Sequence, residues 1–458
     1  MNLPSAFLTR MQEMLGEEYE AFLQSYESGH YQSLRLNPRK TDREEFTEKS
    51  PFHLTPVAWE KNGFYYSEED TPGKHPYHEA GVYYIQEASA MAPVGYLDVQ
   101  PGDYVLDLCA APGGKSTQIG AAMQGKGILI CNEIHPARAK ILSENIERMG
   151  IANAVVTNET PQRLAEHFSE YFTRIMVDAP CSGEGMFRKD PDARGEWSEG
   201  NVKQCAARQD EILREAWRAL KPGGTLVYST CTFNRDEDEG ALERMAAWAG
   251  DEIAESEETA VEDAWGIVCG RVGAFRTFRF YPHRTCGEGF FAAVARKSFD
   301  AGGRVRAPKA RRTVFAAVDR KTAGELARWV RNPGGMHFAA VADTCYAWYA
   351  AQADAVRTLS EALPVIYSGV ALGQVFKGVL KPDPALAFFD GMNRGALPAA
   401  ELDDEETLRF LRRQDIAAGG LAEGMNLVCS RGRALGFAKR IGARVNNLYP
   451  NSLRIIKQ

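Results

Sequence analysis

Residues 177–188 read Val-Asp-Ala-Pro-Cys-Ser-Gly-Glu-Gly-Met-Phe-Arg, and they decide the fold that we expect for this chain. The apolar residues 175–177 are typical of a buried strand, which must end by Pro180 because proline has no N–H to donate to a sheet ladder. The strand end therefore carries a carboxylate, on Asp178, and a thiol, on Cys181. Ligands bind beyond the carboxyl ends of the strands in open α/β sheets, so this stretch is predicted to line a binding crevice.

A second predicted strand, over residues 225–229, ends at another cysteine, Cys231. The two strands thus deliver one thiol each to the same edge of the sheet. Both thiols have polar or turn-forming neighbours, whereas Cys131 and Cys205 are expected to be small buried apolar residues. A thiol is only a few per cent ionised at neutral pH, roughly, but its thiolate is a strong nucleophile. The pairing of two such thiols is the feature that a function has to explain.

Strand-like and helix-like segments alternate around these two loops, which predicts an α/β fold with a parallel, doubly wound sheet. Proline at the first turn and glycine just past the end mark the helix over residues 136–149. The predicted helices cover residues 115–123, 136–149 and 201–220, and the predicted strands cover residues 104–108, 127–132, 154–157, 175–177, 225–229, 276–281 and 289–297.

The composition changes along the chain and predicts four units. Residues 1–85 combine a helical repeat of apolar side chains with an alternating strand, which indicates an N-terminal α+β unit. Residues 86–297 form the predicted catalytic unit. A basic linker and a small α/β unit are predicted over residues 298–363, and a glycine-containing, β-rich unit over residues 364–458.

Two segments stand out by their charge. The acidic stretch 236–263 is expected to be a solvated helix face and a loop. Residues 430–458 contain seven lysines and arginines and no acidic residue, so they are expected to bind RNA phosphates if the chain binds RNA. The alternative is that this tail is a strand-rich part of the last unit whose charges are merely solvated.

The overall composition is that of an ordinary globular protein. Of the 458 residues, 44% are hydrophobic and 25% are charged, and no apolar run is long enough to span a membrane. The nine cysteines include no Cys-x-x-Cys pair, and His75 and His78 lack partner ligands, so neither a disulfide framework nor a metal site is expected. The first residues do not read as a signal peptide, so reduced thiols in the cytoplasm are expected. The net charge of −7 argues against a uniformly basic surface.

Residues 107–116 form a strand-to-helix turn that is predicted to bind an adenosine-type ligand. Their Gly-Lys-Ser ending suggests a phosphate-binding loop, but that motif needs a glycine where this chain has Cys109. A Gly-x-Gly-x-x-Gly dinucleotide loop does not fit either. A tight turn with exposed amides remains, and Glu133, at the end of the next strand, is placed to accept hydrogen bonds from two ribose hydroxyls.

Three motifs together resemble the Nop/Sun family of RNA cytosine-5 methyltransferases. They are DLCAAPGGKS at residues 107–116, DAPCSGEG at residues 178–185 and YSTCT at residues 228–232, and the resemblance covers roughly residues 30–297. Residues 372–388, LGQVFKGVLKPDPALAF, resemble the RsmF-type branch, which methylates small-subunit ribosomal RNA and ends in a PUA-like domain. The resemblance implies a class I (Rossmann-like) S-adenosylmethionine-dependent methyltransferase domain of seven strands, with an N-terminal α+β unit and a C-terminal PUA-like β-rich domain.

The resemblance also implies a role for each site residue. Cys231 would attack carbon 6 of cytosine, Cys181 would assist product release, and Asp178 and Lys115 would bind the polar edge of the flipped base. Thr160 stands where the family usually has an aspartate near the adenine. The implied contacts of the cofactor, S-adenosyl-L-methionine, are Cys109, Ala110, Ala111, Pro112, Gly113, Gly114, Lys115, Glu133, Thr160 and Asp178.

The implied partner is small-subunit ribosomal RNA, either free or in the assembled small ribosomal subunit, and the enzyme would act as a monomer without a membrane. Three alternatives remain. A DNA cytosine methyltransferase would use the Pro-Cys thiol as its nucleophile and would leave Cys231 without a role. Transfer RNA is a possible substrate. A non-catalytic RNA-binding assembly factor would not need both cysteines and Glu133.

Overall fold

The computed structural model describes residues 3–302 and 314–455. Its N-terminal unit contains the two helices that the apolar repeat predicts, followed by an antiparallel sheet in the order β2-β3-β1-β4. The bounds of these elements are α1 (Ser5–Leu15), α2 (Tyr19–Ser25), β1 (Gln32–Leu36), α3 (Arg43–Lys49), β2 (Leu54–Pro56), β3 (Gly63–Tyr66), α4 (Pro76–Glu79) and β4 (Tyr83–Ile85).

The central unit alternates strands and helices as the sequence predicts. Its elements are α5 (Ala92–Leu97), β5 (Tyr104–Asp107), α6 (Gly114–Ala122), β6 (Ile128–Asn132), α7 (Pro136–Arg148), β7 (Ala154–Thr157), α8 (Pro161–His167), β8 (Phe172–Asp178), α9 (Pro191–Glu196), α10 (Glu199–Ala219), β9 (Leu220–Thr230), α11 (Glu239–Ala249), β10 (Ile253–Ala254), β11 (Val268–Val272), β12 (Phe275–Phe280) and β13 (Phe290–Lys297).

These strands form one sheet in the order β11-β12-β13-β9-β8-β5-β6-β7. The five strands from β5 to β9 are parallel, and β13 is inserted antiparallel between β9 and β12. All seven predicted strands are present. The sheet is larger than the seven strands expected, because β11 extends it in a hairpin with β12 and β10 pairs with the end of β13.

The ends of the central helices follow from local sequence. Pro136 occupies the first turn of α7, where its missing N–H costs nothing, and Gly150 takes a positive φ of 72° just after the helix ends. Ser198 caps α10 by accepting a hydrogen bond from the N–H of Asn201 at 3.1 Å. With these signals, α7 and α10 begin and end within two residues of the predicted bounds.

The C-terminal region forms two further sheets, ordered β14-β15-β16-β18-β19 and β20-β21-β22-β23. Its elements are β14 (Ala316–Ala317), α12 (Arg320–Ala327), β15 (Met336–Val341), β16 (Thr344–Tyr349), α13 (Ala353–Ala362), β17 (Val365–Ser368), β18 (Val370–Phe376), β19 (Val379–Pro382), α14 (Pro384–Phe388), β20 (Ala399–Glu401), α15 (Asp404–Leu411), β21 (Gly424–Ser430), β22 (Arg433–Ile441) and β23 (Arg444–Asn447).

The boundary predicted between residues 363 and 364 does not separate two units. Strands on both sides of it, β16 and β18, pair in the same five-stranded sheet. The strand between them, β17, leaves that sheet and pairs antiparallel with β7, so it becomes the last strand of the central sheet. The catalytic sheet is therefore completed from beyond residue 297. Most of the predicted basic linker, residues 303–313, lies outside the described residues.

The two charged segments differ from the first interpretations. Glu237 and Asp238 in the acidic stretch are fully buried, although the acids at 255, 257 and 258 are exposed as expected. The acid-free tail contains β22 and β23, which supports the alternative interpretation of a strand-rich tail, and its binding to RNA phosphates stays a prediction. Arg440 in β22 donates to the carbonyl oxygens of Ala418 and Leu421, at 3.0 and 2.6 Å, so its charge serves the fold.

Apolar packing joins the units into one body. Buried residues cover both faces of the central sheet, and a separate cluster joins Leu34 and Tyr83 of the N-terminal sheet to Phe410 and Tyr449 of the C-terminal region. Each such side chain contributes about 1.5–3 kcal/mol on full burial. Among the helices of the described residues, none combines the length and the apolar character that crossing a membrane requires.

Candidate active site

The two cysteines that the sequence singles out lie side by side. Strands β8 and β9 are parallel neighbours in which Asp178 pairs with Ser229, so the loops that follow them start from the same edge of the sheet. The Sγ atoms of Cys181 and Cys231 are 3.2 Å apart. The backbone N–H of Cys231 also donates to the sulfur of Cys181 at 3.3 Å. The structure thus confirms that both thiols reach one point of the crevice.

The environment of Cys181 keeps its thiol protonated. Its hydrogen bond with Cys231 favours the protonated form, and burial disfavours the thiolate, so the pKa of Cys181 is raised well above its usual value. A protonated thiol can donate a hydrogen bond but is a poor nucleophile. Cys181 is therefore suited to assist the chemistry of a neighbouring sulfur atom.

A buried carboxylate, Glu237, ties the two cysteine loops together. Its Oε2 accepts hydrogen bonds from the N–H of Ser182 and from Nε2 of Gln209, both at 2.9 Å. Nε2 of Gln209 also donates to the carbonyl of Pro180 at 3.0 Å. Burial raises the pKa of Glu237. The sequence analysis missed this residue, because it stands in an acidic stretch that was interpreted as solvated.

Close backbone packing holds the loop of Cys181 against that of Cys231. The N–H of Gly185 donates to the carbonyl of Cys231 at 2.8 Å. A Cβ atom at Gly185 would lie 2.1 Å from the carbonyl oxygen of Gly289, which is far inside van der Waals contact. Any larger residue at position 185 would therefore push the two loops apart.

The predicted pair Asp178 and Lys115 forms an ion pair at the strand end that precedes the Cys181 loop, with the lysine buried and the carboxylate partly exposed. The Nζ of Lys115 lies 2.7 Å from Oδ2 of Asp178, and the hydroxyl of Ser229 donates to Oδ1 at 2.6 Å. Lys115 is buried and lies 5.0 Å from the centre of the Phe290 ring. The carboxylate thus has a fixed orientation at the end of β8, with a cation at its side.

The predicted cofactor loop, residues 109–114, connects β5 to the start of α6. Gly113 has a φ of 116° and lets the chain turn into the helix, so that the first amides of α6 remain available. Below the loop, Asp107 accepts a hydrogen bond from the hydroxyl of Ser116 at 2.6 Å. Burial raises the pKa of Asp107 to about 7. Its Oδ1 has no hydrogen-bond partner among the residues that the structure describes.

Glu133 stands where the sequence predicts, directly after β6. It is buried, and its Oε1 accepts the N–H of His135 at 2.9 Å. Arg138 lies 3.4 Å from Oε2 and donates to the carbonyl of Ala111 at 2.9 Å, which links the carboxylate to the loop. A carboxylate offers about four acceptor positions, so Glu133 retains capacity for a ligand's hydroxyl groups.

Thr160, which replaces the family's usual aspartate, has a structural role of its own. It caps α8, and its hydroxyl oxygen accepts the N–H of Arg163 at 3.3 Å. The adjoining loop is held by Asn132, whose Oδ1 accepts from the hydroxyl of Thr157 and from the N–H of Glu159, at 2.8 and 3.0 Å. A role of Thr160 toward an adenine stays a prediction, and no local pattern in the sequence indicates the part played by Asn132.

The N-terminal unit contributes directly to the cofactor loop through Arg35. This buried side chain donates from Nη2 to the carbonyl of Gly114 and to the hydroxyl of Thr117, both at 2.9 Å, and from Nε to Gln86 at 2.9 Å. Burial lowers the pKa of Arg35 to about 10, so the guanidinium remains charged. The sequence analysis could not find this residue because the contact joins β1 to a helix 79 positions away.

The first helix packs against the loop that follows Cys181. The rings of Phe7 and Phe187 are 5.1 Å apart and meet edge to face. Arg10 pairs with the buried Glu184 at 2.5 Å, and Trp197 donates to the same carboxylate at 2.9 Å. The N-terminal unit therefore supports the catalytic loop from behind.

Within residues 3–302 and 314–455, no three His, Cys, Asp or Glu side chains are arranged to hold a metal ion. His75 accepts the N–H of Tyr77 and His78 contacts Glu79, so both histidines have local partners.

The strand order and the loop between β5 and α6 define a class I methyltransferase domain. Family models agree: that of the 16S rRNA methyltransferase RsmB/F matches residues 94–296, that of the N-terminal domain of 16S rRNA methyltransferase RsmF matches residues 3–88, and that of the methyltransferase RsmF PUA domain matches residues 398–455.

Similar proteins cover the whole chain. The ribosomal RNA small subunit methyltransferase F of Escherichia coli O127:H6 is 34% identical over 98% of this chain and 96% of its own length. The protein of the same name from Erwinia tasmaniensis is 32% identical with the same coverage. The crystal structure of a methyltransferase homolog from Pyrococcus horikoshii has a TM-score of 0.54 and is 29% identical, covering 64% of this chain and 95% of that one. The chain belongs to the RsmF branch of the Nop/Sun methyltransferases.

S-Adenosylmethionine is the cofactor of this class, and the residues present fit it. The buried carboxylate of Glu133, at the carboxyl end of β6, has acceptor positions left for ribose hydroxyls. The amides at the start of α6 and the loop of residues 109–114 provide the surrounding polar groups. When bound, the cofactor supplies an electrophilic methyl group.

Proposed function

We propose that this protein methylates carbon 5 of a cytosine in small-subunit ribosomal RNA through a covalent bond between Cys231 and the base. The observation that carries the proposal is the contact of two thiols at 3.2 Å beside the ion pair of Lys115 and Asp178. The names of the full-length relatives support ribosomal RNA as the substrate. We expect the enzyme to act as a cytoplasmic monomer, on RNA that is free or already in the small subunit.

The first step is the addition of the Cys231 thiolate to carbon 6 of a flipped cytosine. Carbon 5 of an aromatic cytosine ring is not electron-rich, and the addition makes it so. Negative charge develops on the polar edge of the ring, where Lys115 stabilises it and Asp178 accepts a hydrogen bond from the exocyclic amino group. Because Ser229 and Lys115 hold the carboxylate of Asp178 in place, this stabilisation needs no reorganisation during the step.

The last step is the release of the methylated base, and Cys181 acts there. After carbon 5 has received the methyl group, a water molecule takes its proton, and the electron pair of that C–H bond forms the double bond between carbons 5 and 6. The bond from carbon 6 to the sulfur of Cys231 breaks in the same elimination. The leaving sulfur takes the electron pair and becomes a thiolate. The protonated thiol of Cys181, 3.2 Å away, donates a hydrogen bond to that thiolate and makes it a better leaving group.

The test separates the two thiols by denaturing gel electrophoresis with small-subunit ribosomal RNA. We expect Cys181→Ala to accumulate a protein–RNA adduct that requires S-adenosylmethionine, because addition and methylation proceed while release stalls. Cys231→Ala should form no adduct, and both variants should lack turnover. Cys269→Ala, which removes an exposed cysteine, is the matched control and should behave as wild type.

The opposite pattern would contradict the assignment. An adduct in Cys231→Ala and none in Cys181→Ala would make Cys181 the nucleophile, as expected for a DNA-type cytosine methyltransferase. Bisulfite sequencing of RNA from a deletion strain tests the substrate separately. Loss of one small-subunit cytosine mark is expected, and loss of a transfer RNA mark instead would overturn the ribosomal assignment.

A further inference from the structure

A basic pocket of about 350 Å³ lies where the N-terminal unit meets the C-terminal sheets, away from the cysteines. Phe388 and Phe389 form part of its wall. Its basic side chains come from four separate parts of the chain, and they are Arg39, Lys40, Arg331, Arg394 and Arg433.

The charges of this pocket are poorly compensated. Asp390 is the one acidic residue that lines it, and it pairs with Arg39 at 2.6 Å. Arg331 donates to the backbone carbonyl of Asp390, and Arg394 to that of Gly432 at 3.0 Å, so neither is held by a carboxylate there. Both arginines are exposed. Two guanidinium groups thus face the pocket with hydrogen-bonding capacity left over.

The other two basic side chains, Lys40 and Arg433, are held by backbone oxygens. Burial lowers the pKa of Lys40 well below its usual value, so the arginines carry the positive charge of the pocket. The Nζ of Lys40 donates to the carbonyls of Ala80 and Arg148, both at 2.7 Å, and lies 5.3 Å from the centre of the Phe388 ring. Arg433 donates to the carbonyl of Lys40. Arg433 also lies 4.0 Å from Oε2 of Glu45, which is not a lining residue. The cluster is therefore preorganised, with Asp390 as the one carboxylate among its lining residues.

The pocket lies on the opposite edge of the central sheet from the thiols. Helix α7 begins just after β6, at the carboxyl edge, and returns to the amino edge, where it ends at Arg148. Lys40 contacts the carbonyl of Arg148, so the pocket lies at that far end. A ligand there lies at the opposite edge of the sheet from the thiols, so its role is binding rather than the reaction itself.

We propose that this pocket binds a backbone phosphate of the substrate RNA and anchors it at a distance from the reacting base. This inference rests on the proposed function, since it assumes an RNA substrate. Guanidinium groups match phosphate oxygens in two-point hydrogen bonds, and a site of three or more arginines with one carboxylate is selective for an anion. The aromatic rings of Phe388 and Phe389 are buried, so the pocket has no exposed aromatic face on which a base could stack.

The experiment measures the binding of full-length small-subunit ribosomal RNA by the double variant Arg331→Ala/Arg394→Ala at several salt concentrations. We expect affinity to fall about tenfold or more, as when hydrogen bonds to charged groups are removed. The slope of log affinity against log salt should flatten by about 0.7–0.9 for each phosphate that the variant no longer neutralises. The control variant Lys221→Ala/Arg320→Ala removes two exposed cations elsewhere and should leave the slope unchanged.

Binding does not depend on methylation, so the outcome is separate from that of the proposed function. A folded double variant with unchanged slope and affinity would overturn the phosphate site, even if the adduct test succeeds. A third outcome would indicate a pocket for an acidic protein partner. In that case polyglutamate would bind to wild type but not to the double variant, and both proteins would bind RNA with equal affinity. That result would also overturn the proposal. Unaltered thermal unfolding checks that both variants are folded.

Discussion

The thiol of Cys181 lies 3.2 Å from that of Cys231, although 50 positions separate the two residues in the chain. Parallel pairing of β8 and β9 brings the two strand ends together, but it does not fix the loops beyond them. Glu237 contributes to that task together with the backbone bond from Gly185 to Cys231, because its carboxylate accepts hydrogen bonds from Ser182 and from Gln209, which also holds Pro180. The distance between the thiols thus depends on a residue that touches neither sulfur atom.

Replacing Glu237 with alanine should lower both stability and turnover. The change leaves the N–H of Ser182 and the amide of Gln209 without their acceptor, and each unpaired buried group costs about 1–3 kcal/mol. Urea unfolding and methyl transfer measure the two effects. The control is Glu243→Ala, an exposed residue of α11, which should change stability by less than about 0.5 kcal/mol. Equal turnover in the two variants would show that the thiols are positioned without Glu237.

Removing the carboxylate of Glu133 should weaken cofactor binding. Glu133→Ala is expected to cost about 1.5–3 kcal/mol in the affinity for S-adenosylmethionine, the value of a hydrogen bond to a charged group. Isothermal calorimetry gives this number directly, with the exposed Glu166→Ala as the control. Because Glu133 also accepts the N–H of His135, thermal unfolding must show that the variant is folded. An unchanged affinity would remove Glu133 from the ribose site.

Neutralising Asp178 should affect turnover far more than RNA affinity. Asp178→Asn keeps the shape of the side chain but removes the charge that pairs with Lys115. The carboxylate stabilises the transition state in which the thiolate adds, rather than the bound RNA. We expect kcat to fall by about 10²–10³, as when one transition-state donor is lost. Ser229→Ala removes only the supporting hydroxyl and should have a smaller effect in the same direction. Comparable losses in kcat and in RNA affinity would assign Asp178 to substrate binding instead.

The sequence is sufficient for the parts of the site that depend on strand ends. Apolar runs that stop at Pro180 or Thr230 locate the carboxyl edge, and parallel neighbours must then share it. For the same reason Glu133 and the loop of residues 109–114 lie where they were predicted. These inferences hold because each needs only local sequence and one rule of sheet topology.

Contacts between distant parts of the chain are not accessible in that way. The strand β17 has no local property that distinguishes pairing with β7 from pairing in the C-terminal sheet. Arg35 resembles any strand arginine until β1 is placed beside α6. Glu237 was missed because an acidic run is usually solvated, whereas here two of its members are buried with partners. Each case requires knowledge of which surfaces meet.

The buried carboxyl of Asp107 should make stability fall with rising pH. Its folded-state pKa is about 7, against an ordinary value of 3.8, because burial disfavours the charged form. Between these values the native state binds the extra proton, so the contribution of Asp107 to stability is fully present below about pH 4 and is lost as pH rises to about 7. The slope from this one group is at most about 1.4 kcal/mol per pH unit.

The variant Asp107→Asn isolates this effect in the cofactor-free protein. Asparagine can still accept the hydroxyl of Ser116 through its Oδ1, but it does not titrate, so any fixed cost of its amide is the same at every pH. Urea unfolding is measured at about pH 5 and about pH 7.5. The free energy of unfolding of the variant, relative to that of wild type, should rise by about 1 kcal/mol per pH unit. The exposed Asp98→Asn serves as the control and should keep a constant difference. If the difference between Asp107→Asn and wild type is also constant, Asp107 is ionised in the native protein, and burial then does not set its pKa.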